Sequence, residues 1–214
     1  MDVTLPASLD PDSLASLLHE LQRPSEVIVL RGSPPVFCHG LSLRAAEGDF
    51  ADRFVSCVRA LRCGPPVIAF VEGSARGAGV GLLAACDRVL ATASADLALT
   101  ELYFGLTPAA IWPLLRERVG AARLRWAAMT GRNIGPAEAV ELGLVDEVVE
   151  GPEAIEPCVR SLRRASADAI TVLKRATAPL GAVSLGAERT RLRLQDPEVR
   201  RRIARFLEGD TPWG

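Results

Sequence analysis

The sequence is poor in aromatic, lysine and histidine residues, and each shortage argues against a class of function. Phe, Trp and Tyr make up 5% of the 214 residues, too few for the aromatic platforms on which single-stranded nucleic acids stack. The formal net charge is −1, so no excess of positive charge favours nucleic acids or anionic membranes. The only lysine is Lys174, beside 24 arginines, which leaves one amine for Schiff-base chemistry, on a predicted surface helix.

Metal ligands and membrane signals are equally scarce. Two histidines and five cysteines without CxxC spacing do not form the ligand cluster that a zinc site needs, so we expect no metal. We interpret the cysteines as free thiols in a reducing compartment. No apolar run approaches about 18 residues, and the N-terminus lacks the basic and apolar regions of a signal peptide. These features predict a cytoplasmic protein that does not span a membrane.

The spacing of apolar residues divides the chain into two regions. Strand-like and helix-like segments alternate over residues 1–150, whereas residues 151–214 show helical spacing only. This predicts an α/β core followed by a helical region that serves packing and oligomerisation. The last predicted helix, 186–208, carries more apolar surface than an isolated helix can keep in water. We therefore expect it to pack on the core or on a neighbouring subunit.

A glycine-rich segment follows the apolar run Val67–Val71, which is a predicted buried strand. Gly77, Ala78 and Gly79 present almost no side chain, so another molecule can approach their backbone closely. A small-residue helix is predicted at 80–86, and the first N–H groups of a helix have no intrahelical acceptor. This arrangement favours the binding of negative charge. It does not match the GxGxxG pattern of dinucleotide-binding loops.

A second loop, predicted over residues 32–43, follows a strand at 27–30 and contains His39 and Gly40. Two parallel strands that end in such loops bring two backbone N–H groups towards one oxygen, which is the geometry of an oxyanion hole. An ordinary strand-to-helix connection is the alternative interpretation of this loop. The sequence places no acidic residue near His39, so we expect its imidazole to line a pocket rather than to act as a base.

Glu101 is the one carboxylate that the sequence places among apolar neighbours near these loops. Leu99, Leu102 and Phe104 surround it in the chain, so we expect burial to raise the pKa of its carboxyl group. Such a group suits general acid and base catalysis beside a carbonyl. A helix cap or an ion-pair partner is the alternative interpretation.

Four segments, in order, resemble the crotonase, or enoyl-CoA hydratase/isomerase, superfamily over nearly the whole chain. They are FCHGLSL, PPVIAFVEGSARGAGVGLLAACDRVLA, TELYFGLTP and GRNIGPAEAVELGLVDEVV. The resemblance implies a crotonase-like ββα spiral core and oxyanion-hole amides at His39 and Ala78. Of the two glutamates of the hydratases, the first falls on Gly81 and the second on Glu101. The substrate contacts that we expect lie at Gly40, Arg76, Gly77, Gly79 and Pro108.

A narrower resemblance is to the β-branching dehydratases of polyketide assembly lines, which belong to HMG-CoA-synthase cassettes. It implies removal of water from a 3-hydroxy-3-methylglutaryl-type chain on an acyl carrier protein, giving a 3-methylglutaconyl-type thioester. It implies no cofactor beyond the phosphopantetheine or CoA that carries the acyl group. Crotonases commonly form trimers or dimers of trimers, so we expect a homo-oligomer. An enoyl-thioester isomerase, a decarboxylase and a non-catalytic acyl-binding crotonase are the alternatives.

Overall fold

Two parallel sheets build the core of the computed structural model, which describes residues 1–45 and 49–213. The larger sheet has the strand order β1-β2-β4-β6-β8. Its strands are β1 (Asp2–Thr4), β2 (Ile28–Arg31), β4 (Val67–Val71), β6 (Arg88–Ala91) and β8 (Glu147–Val148). Every residue of β4 is buried, as expected for a central parallel strand that is covered on both faces.

The smaller sheet has the order β3-β5-β7. Its strands are β3 (Val36–Cys38), β5 (Ser74–Arg76) and β7 (Asp96–Ala98). Each of them follows a strand of the larger sheet after a short bend, so the chain repeats a strand–strand step as it winds. At one bend Gly73 has φ 84°, and a Cβ there would lie 1.9 Å from the Pro35 carbonyl oxygen, a contact that only glycine permits.

Two of these short strands lie where the sequence predicted loops. β3 lies inside the predicted loop 32–43, and β5 lies inside the glycine-rich segment. The loop predictions were therefore wrong at these positions. A strand of three residues is too short to show an alternation of apolar and polar side chains, and its pairing partners are distant in sequence.

Ten α-helices, counted over the described residues, surround the sheets. They are α1 (Pro11–Leu21), α2 (Phe50–Cys63), α3 (Ala78–Ala84), α4 (Trp112–Arg118), α5 (Ala121–Thr130), α6 (Pro136–Leu142), α7 (Ile155–Leu162), α8 (Ala167–Thr177), α9 (Leu180–Leu194) and α10 (Pro197–Leu207). The chain from β8 to the end of α10 contains helices and connecting turns only. None of the helices in the described ranges is long and apolar enough to cross a membrane.

The helix predicted at 186–208 is divided into the end of α9 and the whole of α10, so the prediction of one continuous helix was wrong. Asp196 caps α10, since its side chain accepts a hydrogen bond from the Glu198 amide at 2.9 Å. Pro197 begins the new helix and cannot continue the old one. Helix α10 buries Val199 and Ile203 in an apolar cluster with Leu106 of the α/β core. The expectation that the tail packs on the core is confirmed.

Lys174 was predicted on a surface helix, and the structure contradicts this. It lies on α8, is 6% exposed, and its Nζ donates to the Pro65 carbonyl at 2.7 Å. It also forms an ion pair with Asp87, whose carboxylate accepts a hydrogen bond from the Val67 amide at 2.8 Å. The only lysine therefore fastens α8 to the N-terminal ends of β4 and β6 and is not available for Schiff-base chemistry.

We predict that Lys174→Met lowers the free energy of unfolding by about 2 kcal/mol. Loss of one partner of a fully buried pair costs more, but the Asp87 side chain keeps 30% exposure and water partly replaces the ammonium. Urea denaturation followed by circular dichroism measures this. Arg175→Met, on the exposed face of the same helix, is the matched control, and equal stability of the two variants would contradict the assigned contact.

Candidate active site

A cavity of about 750 Å³ lies where α3, α2 and α10 approach each other. Its wall includes residues from both loops that the sequence singled out. Six of the predicted site residues line it: His39, Arg76, Gly77, Ala78, Glu101 and Pro108. The other two, Gly40 and Gly79, lie behind the wall and hold the two loops together.

Gly40 and Gly79 let the two loops touch through their backbones. A Cβ on Gly79 would lie 2.1 Å from the Cys38 carbonyl oxygen, and a Cβ on Gly40 would lie 2.8 Å from the Ala78 nitrogen. Gly40 also has φ 76°, which disfavours any side chain. The residues that follow Cys38 are therefore held directly beside the start of α3.

The amide of Ala78 is a free donor at this junction. Ala78 is the first residue of α3, and the first N–H groups of a helix have no intrahelical acceptor. Within residues 1–45 and 49–213 no acceptor is found for this N–H. Since Ala78 lines the cavity, its amide can donate to a bound molecule.

The amide of His39, which was expected to be the second donor, is not available. It donates to the Ala7 carbonyl oxygen at 2.7 Å. The prediction for the His39 amide is therefore wrong. This contact could not be predicted from the sequence, because the partner lies in the N-terminal segment and backbone pairing leaves no side-chain signature.

The Leu41 amide takes the place of the His39 amide. The Leu9 amide donates to the Gly40 carbonyl and the Ser42 amide donates to the Leu9 carbonyl, both at 2.7 Å. In such a parallel bridge successive residues direct their backbone groups to opposite sides, so the Leu41 N–H points away from Leu9. The structure shows no acceptor for it among the described residues, and Leu41 lines the cavity near Ala78. We therefore identify Leu41 and Ala78 as the candidate pair of donors.

The His39 ring lines the cavity, in the position that was expected of it. Its Nε2 lies 2.7 Å from Ser74 Oγ. Burial, and secondarily the positive charge of Arg76, lower the pKa of His39. Both effects favour the neutral ring, which forms a polar part of the wall.

Arg76 lines the cavity with a guanidinium group that the protein itself holds in place. It donates to the Asp96 carbonyl at 2.7 Å and to the Ala75 carbonyl at 3.0 Å. It also forms an ion pair with the Asp96 carboxylate. The positive charge of Arg76 is thus positioned before any ligand binds, and the Asp96 carboxylate already offsets it.

Glu101 places its carboxylate at the glycine loop. Its Oε1 lies 3.3 Å from the position that a Cβ on Gly77 would occupy. Its Oε2 is buried and has no hydrogen-bond partner in the described structure. Burial raises the pKa of Glu101 to about 7, as its apolar neighbours in the sequence predicted. A carboxyl group with this pKa can both accept and release a proton at neutral pH.

An aliphatic side chain occupies the place for which the resemblance implies the first of the two glutamates, at position 81. A Cβ on Gly81 would lie 2.2 Å from Cγ2 of Ile111 and 2.7 Å from its Cβ. Ile111 is 3% exposed and also lines the cavity. The sequence showed that the glutamate is absent, but only the structure shows which residue fills the space.

The sequence matches the model of the enoyl-CoA hydratase/isomerase family over residues 11–196. The chain belongs to this family. A relative, the bacillaene synthase dehydratase of Bacillus subtilis, is 29% identical over 204 residues, which are 87% of this chain and 79% of the relative. An enoyl-CoA hydratase of Rhodobacter capsulatus is 37% identical over 146 residues, 64% of this chain and 56% of that protein.

Solved structures confirm the crotonase-like α/β fold. An enoyl-CoA hydratase from Mycobacterium avium paratuberculosis has a TM-score of 0.88 at 26% identity, covering 99% of this chain and 92% of that one. A polyketide biosynthesis enoyl-CoA hydratase from Bacillus subtilis has a TM-score of 0.87 at 24% identity, covering 98% and 94%. The enzyme type rests on the family match and on the two sequence relatives, which together identify a lyase of the hydratase and dehydratase type.

We predict that Gly81→Ala destabilises this member of the family by about 1–3 kcal/mol, the range expected for overpacking. Alanine in a helix is otherwise about 1 kcal/mol more favourable than glycine. A loss of stability, where helix propensity alone predicts a gain, would therefore indicate the clash with Ile111. Gly181→Ala is the matched control, because Gly181 lies in α9 with nothing within 4 Å of its Cβ position, and it should stabilise the protein.

A double-mutant cycle then tests the contact that causes the effect. Ile111→Ala removes the atom nearest to Gly81, so the two substitutions together should cost less than the sum of their separate costs. Strict additivity in thermal denaturation would show that Ile111 does not fill the space over Gly81.

Proposed function

We propose that the protein dehydrates a 3-hydroxy-3-methylglutaryl-type thioester, carried on an acyl carrier protein, to a 3-methylglutaconyl-type thioester in polyketide β-branching. The observation that carries this proposal is the carboxylate of Glu101, whose Oε2 is buried and unpaired, at a cavity that also presents the free amides of Leu41 and Ala78. The dehydratase named among the relatives supports the direction of the reaction.

In the first step the thioester carbonyl oxygen accepts hydrogen bonds from the Leu41 and Ala78 amides. Glu101 takes a proton from C2, and the electron pair of the broken C–H bond moves to the carbonyl oxygen as an enolate. The two amides stabilise the negative charge that develops there. The loss of one such donor costs about 3 kcal/mol in other enzymes.

In the second step the enolate electrons form the C2=C3 double bond and restore the carbonyl group. The C3–O bond breaks, and the departing hydroxide takes the proton that Glu101 holds. Water leaves and Glu101 returns to its carboxylate form. One carboxylate performs both transfers if the C2 proton and the C3 hydroxyl lie on the same face of the substrate. The raised pKa of Glu101 suits both roles.

The carrier and the assembly form the rest of the proposal. Arg44 lies exposed at the wall of the cavity, where a cation suits an acidic carrier protein or the phosphates of CoA.

Large apolar side chains such as Trp126, Met129 and Leu185 are more than half exposed. This exposure supports association with further copies, as a homotrimer or a dimer of trimers. We propose a cytoplasmic location.

We predict that Glu101→Gln abolishes dehydration and leaves the fold intact, because the amide has nearly the same shape but cannot accept the C2 proton. Mass spectrometry of a carrier protein loaded with the 3-hydroxy-3-methylglutaryl group measures the loss of water. Glu141→Gln, at an exposed position on α6, is the control and should retain full activity. Undiminished turnover by Glu101→Gln would remove Glu101 from the mechanism.

The same assay separates the alternative functions. Loss of carbon dioxide from a carrier loaded with a 3-methylglutaconyl chain would identify a decarboxylase. The electron pair of the broken C–C bond then passes through the C2=C3 bond to the thioester oxygen, which the two amides hold. Migration of a double bond without a change in mass, in a carrier loaded with a 3-enoyl chain, would identify an isomerase. Acyl-thioester binding without turnover of any of these substrates would identify a non-catalytic member of the family.

We predict that kcat/KM rises with pH through about 7 and then levels off, because the free enzyme must present Glu101 as a carboxylate. The pH dependence of kcat/KM with the carrier-bound substrate measures this.

The free energy of unfolding should fall as the pH rises over the same range. The folded pKa lies above the ordinary value of 4.5, so between these two values the folded protein binds a proton that the unfolded chain does not, and rising pH destabilises the fold.

The Glu101→Gln variant lacks this titration. The free energy of unfolding of the variant minus that of the wild type should therefore increase between about pH 5 and pH 8. Urea denaturation at both values measures the difference. A difference that is independent of pH would show that the carboxyl group is not buried in the folded protein.

A further inference from the structure

Two side chains of opposite chemical character stand over the start of α3, one at its N-cap and one in its first turn. The Gly81 amide donates to the Gly77 carbonyl at 3.1 Å, so Gly81 lies about one turn beyond Gly77, roughly 6 Å along the helix axis. The carboxylate of Glu101 lies over Gly77, and Cγ2 of Ile111 lies over Gly81. A molecule in the cavity therefore meets an acid and an aliphatic group side by side.

Ile111 is held firmly in this position. Its amide donates to the Pro108 carbonyl at 3.2 Å, and its carbonyl accepts the Leu115 amide at 3.0 Å. It therefore joins the turn at Pro108 to the first turn of α4. The side chain is nearly fully buried, and the missing Cβ of Gly81 provides the space that it fills. Leu106 and Ala110 line the cavity with it, so this part of the wall is apolar.

This arrangement restricts what C3 of the substrate can carry, if the proposed function is correct. Glu101 must reach both the C2 proton and the C3 hydroxyl, so the hydroxyl faces Glu101. A second substituent on C3 then faces Ile111, where a polar group would lose its hydrogen bonds to water. A hydrogen atom there leaves a gap, whereas a methyl group makes dispersion contacts with the isoleucine.

We infer that Ile111 makes the site selective for 3-hydroxyacyl thioesters that carry an alkyl branch at C3, that is, for tertiary alcohols. The inference rests on the proposed function and adds to it a residue that determines specificity. Gly81 stands at the position for which the resemblance implies a glutamate, and the Ile111 side chain fills the space over it. The absence of that acid therefore leaves room for a side chain that can contact the branch.

The test compares two carrier-bound substrates that differ by one methyl group, the 3-hydroxy-3-methylglutaryl and the 3-hydroxyglutaryl thioesters. We expect the wild type to prefer the branched substrate by about tenfold or more in kcat/KM, since an apolar pocket discriminates a single methylene by about 10–200-fold. In Ile111→Ala the preference should fall below about threefold, mainly through the branched substrate. Ile68→Ala is the control and should keep the wild-type preference.

Ile68 is a matched control because it is equally buried but belongs to a separate apolar cluster with Ile155. If Ile111→Ala does not fold, Ile111→Val provides the test. Its preference for the branched substrate should be weaker than that of the wild type but should remain above the limit of about threefold expected for alanine. A wild-type enzyme that dehydrates both substrates equally, or an unchanged preference in the Ile111 variants, would overturn the inference and leave the proposed function standing. A wild type that dehydrates neither substrate would refute the proposed function itself.

Discussion

Backbone contact between the loop after β3 and the first turn of α3 determines the geometry of the whole site. The Gly79 backbone packs against the Cys38 carbonyl at a distance that excludes a Cβ. That contact places the Leu41 and Ala78 amides at the same cavity. Neither donor depends on a side chain, so the site can tolerate changes in residue type at 41 and 78 but not at the glycines that bring the two segments together.

Burial of the Glu101 carboxylate costs free energy, and the same burial produces the raised pKa that acid and base catalysis needs. An unpaired carboxylate oxygen in an apolar wall destabilises the charged form, and the pKa rises towards neutrality as a result. A neighbouring cation would stabilise the fold but would also return the pKa towards its ordinary range. Arg76 lines the same cavity and is instead paired with Asp96. The Asp96 carboxylate thus offsets the positive charge of Arg76 at the cavity.

Side-chain patterns predicted the alternating core, the glycine loop and the raised pKa of Glu101, because each depends on residue type and local spacing. Contacts between distant backbone segments were not predictable in the same way. The pairing of His39 with Ala7 removed an expected donor, and the three-residue strands β3 and β5 formed inside predicted loops. Lys174 had ordinary helical neighbours in the sequence, yet its partner Asp87 lies in another element, and that contact buries it.

The absence of the glutamate at position 81 is built into the packing and is not a single substitution. A glutamate at position 81 would have to displace Ile111, which is anchored through its own backbone to Pro108 and Leu115. Recovery of a two-carboxylate site therefore requires a smaller residue at 111 as well, and that change would open a cavity of its own. Because the two positions are coupled, reactions that one carboxylate can perform are structurally favoured over those that need a separate acid and base.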